Sequence, residues 1–219
     1  MIFNIAIDGP SGAGKSTVAK YLAEKLNISY LDTGAMYRAL ACYVLERGIE
    51  PEDAENVERL LPDIDMEVFN ENGVQQVVVC GKNYTPYIRK HEISMAASTV
   101  SKIPSVRKKL VALQQAIAKK TSCVLDGRDI CSVVLPDAKY KFFVTAKAEI
   151  RAKRRYDELT AKGQSVEYAD ILKDVIARDK QDTERETTPL KKTDDAVLVD
   201  TSDMNIDEVI EYIEGYICK

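Results

Sequence analysis

The sequence has no hydrophobic run that approaches the ~18 residues needed to cross a membrane. It also lacks the basic region and cleavage site of a signal peptide, because the chain enters an apolar, strand-like run at residues 2–7. We therefore expect a cytoplasmic protein without a membrane partner.

Cysteine and histidine are scarce, and their spacing does not resemble a metal site. The five cysteines show no C-x-x-C or Cys/His ligand spacing, so we expect them to be reduced and to fill small apolar sites. They are Cys42, Cys80, Cys123, Cys131 and Cys218. The only histidine, His91, stands at a predicted helix start without a nucleophile or metal ligand beside it, which favours a surface position.

An excess of positive charge is also missing. Lysine and arginine total 31 against 35 aspartates and glutamates, a formal net charge of −4. This balance argues against a nucleic-acid polymer or an anionic membrane as the main partner. The length of 219 residues, 45% of them hydrophobic, fits one globular α/β unit with room for an inserted subdomain.

The most specific motif present is a phosphate-binding loop. Residues 9–16 match G-x-x-x-x-G-K-[ST], directly after the apolar run and directly before a helical pattern. A flexible glycine-rich linker would instead be polar on both sides. The predicted nucleotide-binding residues are Gly9, Pro10, Ser11, Gly12, Ala13, Gly14, Lys15, Ser16 and Thr17.

The loop predicts a nucleoside triphosphate with Mg²⁺. Amides from Ser11 to Ser16 would hold the α- and β-phosphates, Lys15 would reach the β- and γ-phosphates, and the Ser16 hydroxyl would ligate the ion. The loop alone does not say which reaction follows.

Five apolar runs predict buried strands, at 2–7, 28–31, 122–125, 139–144 and 196–200. Their alternation with helical patterns predicts an α/β fold with a mainly parallel sheet covered by helices on both faces. Ligands then belong at the carboxyl ends of the strands. Polar segments follow there at 31–38 and 125–129, and we expect them to converge with the phosphate loop.

Residues 62–88 follow another pattern. Two β-rich runs flank Glu71-Asn72-Gly73, and Asn-Gly between such runs is a strong hairpin signal. We predict an antiparallel insertion between helical segments at 36–47 and 92–120.

Two arginine-bearing helices are predicted at 147–162 and 165–186, joined at Gly163, with Ser165 capping the second. Arg151, Arg154 and Arg155 lie on the first; the spacing of Arg178, Asp182 and Arg185 would place them on one face of the second. Solvated ion pairs would give the same pattern. The phosphate loop upstream favours arginines that bind phosphoryl oxygens.

Taken together, the motifs resemble the bacterial cytidylate kinase family. They are G-P-S-G-A-G-K-S-T (9–17), L-D-T-G-A-M-Y-R (31–38), A-A-S-T-V (96–100) with Val106-Arg107 after it, D-G-R-D (126–129), and R-D-x-x-D-x-x-R (178–185) with Pro189-Leu190 after it. They occur in the family's order and extend over nearly the whole chain. The insertion at 62–88 resembles the extended nucleotide-monophosphate region of the bacterial enzymes.

The resemblance implies roles for individual residues. Thr33, often Ser in the family, and Arg38 would contact the acceptor nucleotide, with Arg38 on its phosphate. The cytosine edge would be read by Ser98, Arg107 and Asp129, which supply the acceptors and the donor that cytosine requires. Further roles fall to Arg178 and Asp182 near the ribose, to Arg128 and Arg185 on the acceptor phosphate, and to Arg151, Arg154 and Arg155 in a short mobile lid.

Two assignments stay open at this point. Asp182 could instead pair with Arg178 or Arg185. Asp126 ends an apolar strand as a carboxylate orienting Mg²⁺ through water, with Asp32 as the competitor. The loop Asp200-Thr201-Ser202 is a further candidate contact to the donor base, from topology alone.

The implied activity is direct in-line transfer of the γ-phosphoryl group of ATP to CMP or dCMP, with ATP and Mg²⁺ as cosubstrate and cofactor, in a monomer. The implied organisation is a P-loop kinase core of 1–33, 105–150 and 181–219, a nucleotide-monophosphate region at 34–104 and lid helices at 151–180. Another small-molecule P-loop kinase and a non-catalytic nucleotide-binding module are the alternatives. A GTPase is disfavoured because no asparagine is followed by lysine as Asn-Lys-x-Asp requires.

Overall fold

The computed structural model describes residues 2–217, which form two compact units. Unit 1 contains residues 1–29 and 121–219, and unit 2 contains residues 30–120. In chain order the strands are β1 (Asn4–Asp8), β2 (Ser29–Asp32), β3 (Met66–Glu71), β4 (Val74–Val79), β5 (Lys82–Asn83), β6 (Cys123–Gly127), β7 (Tyr140–Thr145) and β8 (Val197–Asp200). The helices are α1 (Lys15–Lys25), α2 (Thr33–Glu46), α3 (Ala54–Leu60), α4 (His91–Val100), α5 (Pro104–Ala118), α6 (Ala148–Ala161), α7 (Tyr168–Glu184) and α8 (Ile206–Ile217).

All five predicted strands form one sheet, in the order β2-β6-β1-β7-β8. Strand β1 pairs in parallel with β6 on one side and with β7 on the other, and β8 continues from β7 in the same sense. Apolar residues of β1 and β6, among them Ile5, Ile7 and Leu125, are fully buried. The prediction of a parallel sheet flanked by helices is therefore confirmed.

The predicted hairpin is also confirmed. Strands β3 and β4 pair antiparallel from Met66–Val79 to Glu71–Val74, which leaves Asn72-Gly73 as the connection. Both turn residues have positive φ, 51° and 77°, as a two-residue hairpin turn of this hand requires. A short third strand, β5, pairs with the end of β4 and was not predicted.

The helical segment predicted at 92–120 is two helices rather than one. Proline cannot donate a backbone hydrogen bond and disfavours a helical residue before it. Accordingly Ile103 is extended, with ψ of 118°, and Pro104 begins α5. Helix α2 begins at Thr33, three residues before the predicted 36, because the Asp32 side chain accepts the amide of Ala35 and caps it.

Gly163 does join α6 to α7, with a φ of +75°. The prediction of Ser165 as the cap of α7 was wrong: the helix begins at Tyr168, after an extended Glu167, without a side-chain cap bond. The helix also ends earlier than predicted, at Glu184, so Arg185 is extended and does not belong to the helical face that holds Arg178 and Asp182.

The cysteines of the described chain are free thiols. Cys42, Cys123 and Cys131 are buried as expected, whereas Cys80 is exposed, at a turn with φ of 48° after β4. Cys218 lies outside the described residues. His91 is exposed at the first position of α4, as predicted.

Within residues 2–217, every helix is too short or too polar to span a membrane.

Candidate active site

The phosphate loop connects β1 to α1 and depends on two glycines. A Cβ at Gly9, whose φ is +147°, would stand 1.8 Å from the Val144 carbonyl oxygen of β7. Gly14 adopts a φ of 93° and caps α1. Only glycine adopts both backbone conformations at little cost, so these two residues set the direction of the loop and of the amino end of α1.

Lys15 is the first residue of α1 and is only 6% exposed. Its Nζ donates to the Pro10 carbonyl oxygen at 2.7 Å, across the loop. Burial, reinforced by the positive charge of Arg128, lowers the pKa of Lys15 to about 7. A bound polyanion would stabilise the charged form of this buried ammonium group.

Ser16 lies next to the carboxylate expected to orient the metal ion. Its hydroxyl donates to Asp126 Oδ2 at 2.8 Å, and Asp126 is buried near the end of β6, opposite Ile7 in the register. A serine hydroxyl and a carboxylate in contact, beside a phosphate loop, are suitable oxygen ligands for Mg²⁺.

Asp32, the competing carboxylate, is engaged elsewhere within unit 2. It accepts Arg38 Nη2 at 2.8 Å and the Ala35 amide at 2.9 Å. Burial opposes its ionisation, but Arg38 and the amide outweigh burial and lower the pKa of the Asp32 carboxyl group. Asp32 therefore acts as the cap of α2 and the anchor of Arg38.

Arg128 and Asp182 form a buried ion pair. Arg128 Nε donates to Asp182 Oδ2 at 2.7 Å. Burial raises and the arginine lowers the pKa of Asp182, and the net shift is downward, with Arg178 and Arg185 adding to it. The open assignment of Asp182 thus gains a definite partner, Arg128, which the sequence did not indicate.

Arg185 stays close to this pair although it lies beyond α7. Its Nη1 is 3.9 Å from Asp182 Oδ1, and its Nε donates to the Thr188 carbonyl oxygen at 2.7 Å. Thr188 has a positive φ of 50°, which turns the chain back after the helix. Three arginines therefore surround one carboxylate in unit 1.

Arg151 holds the phosphate loop from α6. It is buried, and its guanidinium donates to the Ala146 carbonyl at 2.8 Å and to the Ser11 carbonyl of the loop at 3.0 Å. The remaining donors form a two-pronged pair with Asp179 of α7. Sequence reasoning did not single out Asp179, because a carboxylate one residue after Arg178 looks like an ordinary surface partner.

Arg154 is anchored differently. Its guanidinium donates to both the hydroxyl and the carbonyl oxygen of Thr201, at 3.0 and 2.7 Å, and the Thr201 hydroxyl donates to Ala13 O at 3.2 Å. Thr201 thus joins the phosphate loop to α6. Arg155, by contrast, pairs with Glu158 of its own helix on the surface.

In unit 2, Arg38 lies in a space that glycine keeps open. A Cβ at Gly34 would stand 2.9 Å from Arg38 Nη1 and 3.2 Å from Asp32 Oδ1. The buried Nε of Arg38 has no acceptor among the described residues. Buried donors normally have a partner, so this atom is consistent with an anionic ligand.

Ser98 and Arg107 are linked through the bend between α4 and α5. Ser101 donates its hydroxyl to the Ser98 carbonyl oxygen at 2.8 Å and accepts Arg107 Nη1 on its own carbonyl at 3.2 Å. The Arg107 guanidinium lies 5.5 Å from the centre of the Tyr37 ring. Thr33 is buried at the start of α2 in the same unit, and Asp129 is buried in unit 1.

A parallel sheet with a phosphate loop, a buried lysine, a serine–carboxylate pair and several buried arginines defines a P-loop nucleotide-binding protein. The sequence profile of the cytidylate kinase family matches residues 5–219. Because the match extends over nearly the whole chain, this chain belongs to the cytidylate kinase family.

Individual relatives agree with that assignment. A cytidylate kinase of Carboxydothermus hydrogenoformans is 48% identical over 94% of this chain and 93% of its own length. One of Clostridium botulinum strain Okra is 47% identical over 99% and 98%, and one of Caldicellulosiruptor saccharolyticus is 46% identical over 96% and 93%.

Proposed function

We propose that this chain transfers the γ-phosphoryl group of ATP to the α-phosphate of CMP and dCMP, with ADP and CDP or dCDP as products. The observation that carries the proposal is the phosphate loop with Lys15 and the Ser16–Asp126 contact, in a chain of the cytidylate kinase family.

The donor side is supported by unit 1. The loop amides and the amino end of α1 would hold the triphosphate, with Lys15 on the β- and γ-phosphates. Ser16 would ligate Mg²⁺ directly and Asp126 through water, which fits their 2.8 Å contact. When bound, the ion neutralises charge on the β- and γ-phosphates. Asp32 is the weaker candidate because Arg38 and an amide already occupy it.

The acceptor side is proposed from the family motifs. Arg38 would bind the acceptor phosphate, as the unsatisfied Nε of this buried guanidinium supports. Arg128 and Arg185 would be further phosphate ligands, and Arg178 with Asp182 would lie near the ribose. Ser98, Arg107 and Asp129 would read the cytosine edge, since they combine acceptors with an arginine donor. Thr33 would contact the acceptor nucleotide.

The chemistry demands positioning more than acid–base catalysis. The acceptor is already an anionic phosphate oxygen, so a general base is dispensable, and the two repelling polyanions must be held in line. Lys15 and the arginines supply that positive field. Closure of the lid at 151–180, with Arg151, Arg154 and Arg155, would exclude water that otherwise accepts the phosphoryl group.

The proposed organisation of the chain keeps the predicted regions: a core of 1–33, 105–150 and 181–219, an acceptor region at 34–104 and the lid. A cytoplasmic location and a monomeric state stay predictions from the sequence.

ADP release coupled to a reporter enzyme tests the proposal, with Mg-ATP and each of CMP, dCMP, UMP, AMP, GMP or no acceptor. Turnover confined largely to CMP and dCMP, and lost in Lys15→Ala, is expected. A preference for another monophosphate would keep a kinase but overturn the roles of Ser98, Arg107 and Asp129. Absence of acceptor-dependent turnover would overturn the kinase assignment.

A pair of variants tests the acceptor site separately. Arg38→Ala is expected to raise the KM for CMP by at least tenfold, because a charge-assisted contact to phosphate is lost. Arg59→Ala is the matched control: Arg59 is also a carboxylate-paired arginine of unit 2, but it pairs with Glu55 on the exposed side of α3. Equal KM values for CMP in the two variants would show that Arg38 does not bind the acceptor phosphate.

A further inference from the structure

Asp8 is a buried carboxylate to which neither the motifs nor the mechanism above assign a task. It is the last residue of β1, directly before the phosphate loop, and it is 0% exposed. Its two oxygens accept the backbone amides of Ile130 and Cys131, at 2.9 and 2.8 Å. These contacts connect residues more than 120 positions apart.

The two amides begin an unusual turn. Residues Ile130–Val134 form one π-helical turn after β6. The first amides of a helical turn have no acceptor within it, so an outside acceptor must satisfy them. Asp8 does so from the neighbouring strand, and its carboxylate therefore fixes where this turn starts.

The position of that start affects the proposed acceptor site. Arg128 and Asp129, two of the proposed acceptor ligands, are the residues directly before the turn. Asp129 has an irregular backbone, with φ of −141° and ψ of 24°, and its carbonyl oxygen accepts the amides of Val133 and Val134, so its position follows that of the turn. The two amides that follow it directly are held by Asp8.

Stability alone does not favour a carboxylate at this place. Burial, together with the nearby charge of Asp129, raises the pKa of Asp8 to about 6, although the two amides counteract the shift. A buried charge of this kind costs free energy that a neutral side chain would not. What the carboxylate adds is acceptance of two amides at once.

We propose that Asp8 is a positioning residue that fixes Arg128 and Asp129 relative to the phosphate loop, and that acceptor selectivity depends on it without contact to a nucleotide. The inference rests on the proposed function, since it assigns Arg128 and Asp129 to the acceptor. Asp8 holds the turn through its hydrogen bonds to the amides of Ile130 and Cys131, and its charge also acts on Lys15 and Arg128.

Asp8→Asn tests the inference. Asparagine keeps the size but turns an NH₂ group toward one of the two amides, so the turn loses one anchor. We expect the KM for CMP to rise about tenfold and the preference for CMP over UMP to fall by a similar factor, as for a small misplacement of substrate ligands. The KM for ATP should rise less than the KM for CMP, because the Asp8 carboxylate hydrogen-bonds the amides of the turn, whereas it affects Lys15 through its charge alone.

Val209→Ala is the control for stability. Val209 is a buried residue of α8 in the same unit, so its truncation weakens the core without changing the turn. Unchanged CMP affinity and selectivity in Asp8→Asn, or changes no larger than in Val209→Ala, would overturn the positioning role alone. Absence of CMP-dependent turnover in the unmodified chain would overturn the proposed function, and this inference with it.

Amide hydrogen exchange in the unmodified chain keeps the inference testable even if Asp8→Asn does not fold. Slow exchange at Ile130 and Cys131 is expected before any nucleotide is added, because Asp8 already accepts both amides. Exchange at the rate of an unfolded peptide would overturn it.

Discussion

The depressed pKa of Lys15 leads to a quantitative prediction for nucleotide binding. In the free chain, burial and Arg128 lower the pKa of Lys15 to about 7, so at pH 8 only about a tenth of the molecules carry the proton. A bound triphosphate stabilises the charged ammonium group and raises its pKa again. ATP binding at pH 8 should therefore take up about 0.9 proton per nucleotide.

The same equilibrium sets the pH dependence of affinity. Only the protonated lysine binds well, and its population in the free chain falls as pH rises above 7. From a pKa of about 7, the dissociation constant for ATP should rise about ninefold between pH 8 and pH 9. If the lysine were already fully protonated before binding, no proton would be taken up and the dissociation constant would stay constant between pH 8 and pH 9.

Titration calorimetry in buffers of different ionisation enthalpy measures the proton uptake directly. At pH 8 the nucleotide phosphates are already ionised, because their second pKa is about 6. Lys15→Met, which cannot take up a proton, is the control and should show no uptake from this group. Zero uptake in the unmodified chain, or equal uptake in both chains, would refute the assignment of a largely neutral lysine.

Three further predictions concern the loop and its supports. Gly9→Ala should destabilise the fold severely, since its Cβ would overlap a backbone carbonyl oxygen of the neighbouring strand. Gly48→Ala has open space around it and should lower the free energy of unfolding by only about 1 kcal/mol. Thermal denaturation of the two variants measures the difference. Thr201→Val should raise the KM for ATP several-fold and Thr201→Ser should not, in the coupled assay, because only the hydroxyl contacts the loop. Asp179→Asn should weaken the ion pair that holds Arg151 and lower the free energy of unfolding by about 1–3 kcal/mol, as measured by denaturant titration. An unchanged denaturation midpoint would show that the pair contributes nothing to stability.

The sheet could be predicted because its signals are local. Each buried strand is a short apolar run, and the turn at Asn72-Gly73 needs positive φ that these residues tolerate. The phosphate loop could be predicted equally well, because its glycines and lysine lie within a few residues of one another in the sequence. The break before Pro104 was readable in principle, from the restriction that proline places on the residue before it.

The supports of the site could not be predicted from spacing. Asp8 reaches amides at 130 and 131, and Thr201 reaches Ala13, through contacts that exist only after the sheet has formed. The end of α7 before Arg185 likewise depends on Thr188, whose positive φ carries no strong signal in the sequence. Carboxylates and hydroxyls in such roles look like ordinary polar residues until their partners are adjacent.

Cys80 gives unit 2 an exposed thiol that can be labelled chemically. Its thiol is exposed at the turn after β4, while Cys42, Cys123 and Cys131 are shielded inside the protein. With Cys218 replaced by serine, a maleimide dye should attach at one defined place in unit 2, which contains residues of the proposed acceptor site. Its fluorescence would then follow the arrival of CMP in real time, independently of whether a phosphoryl group is transferred.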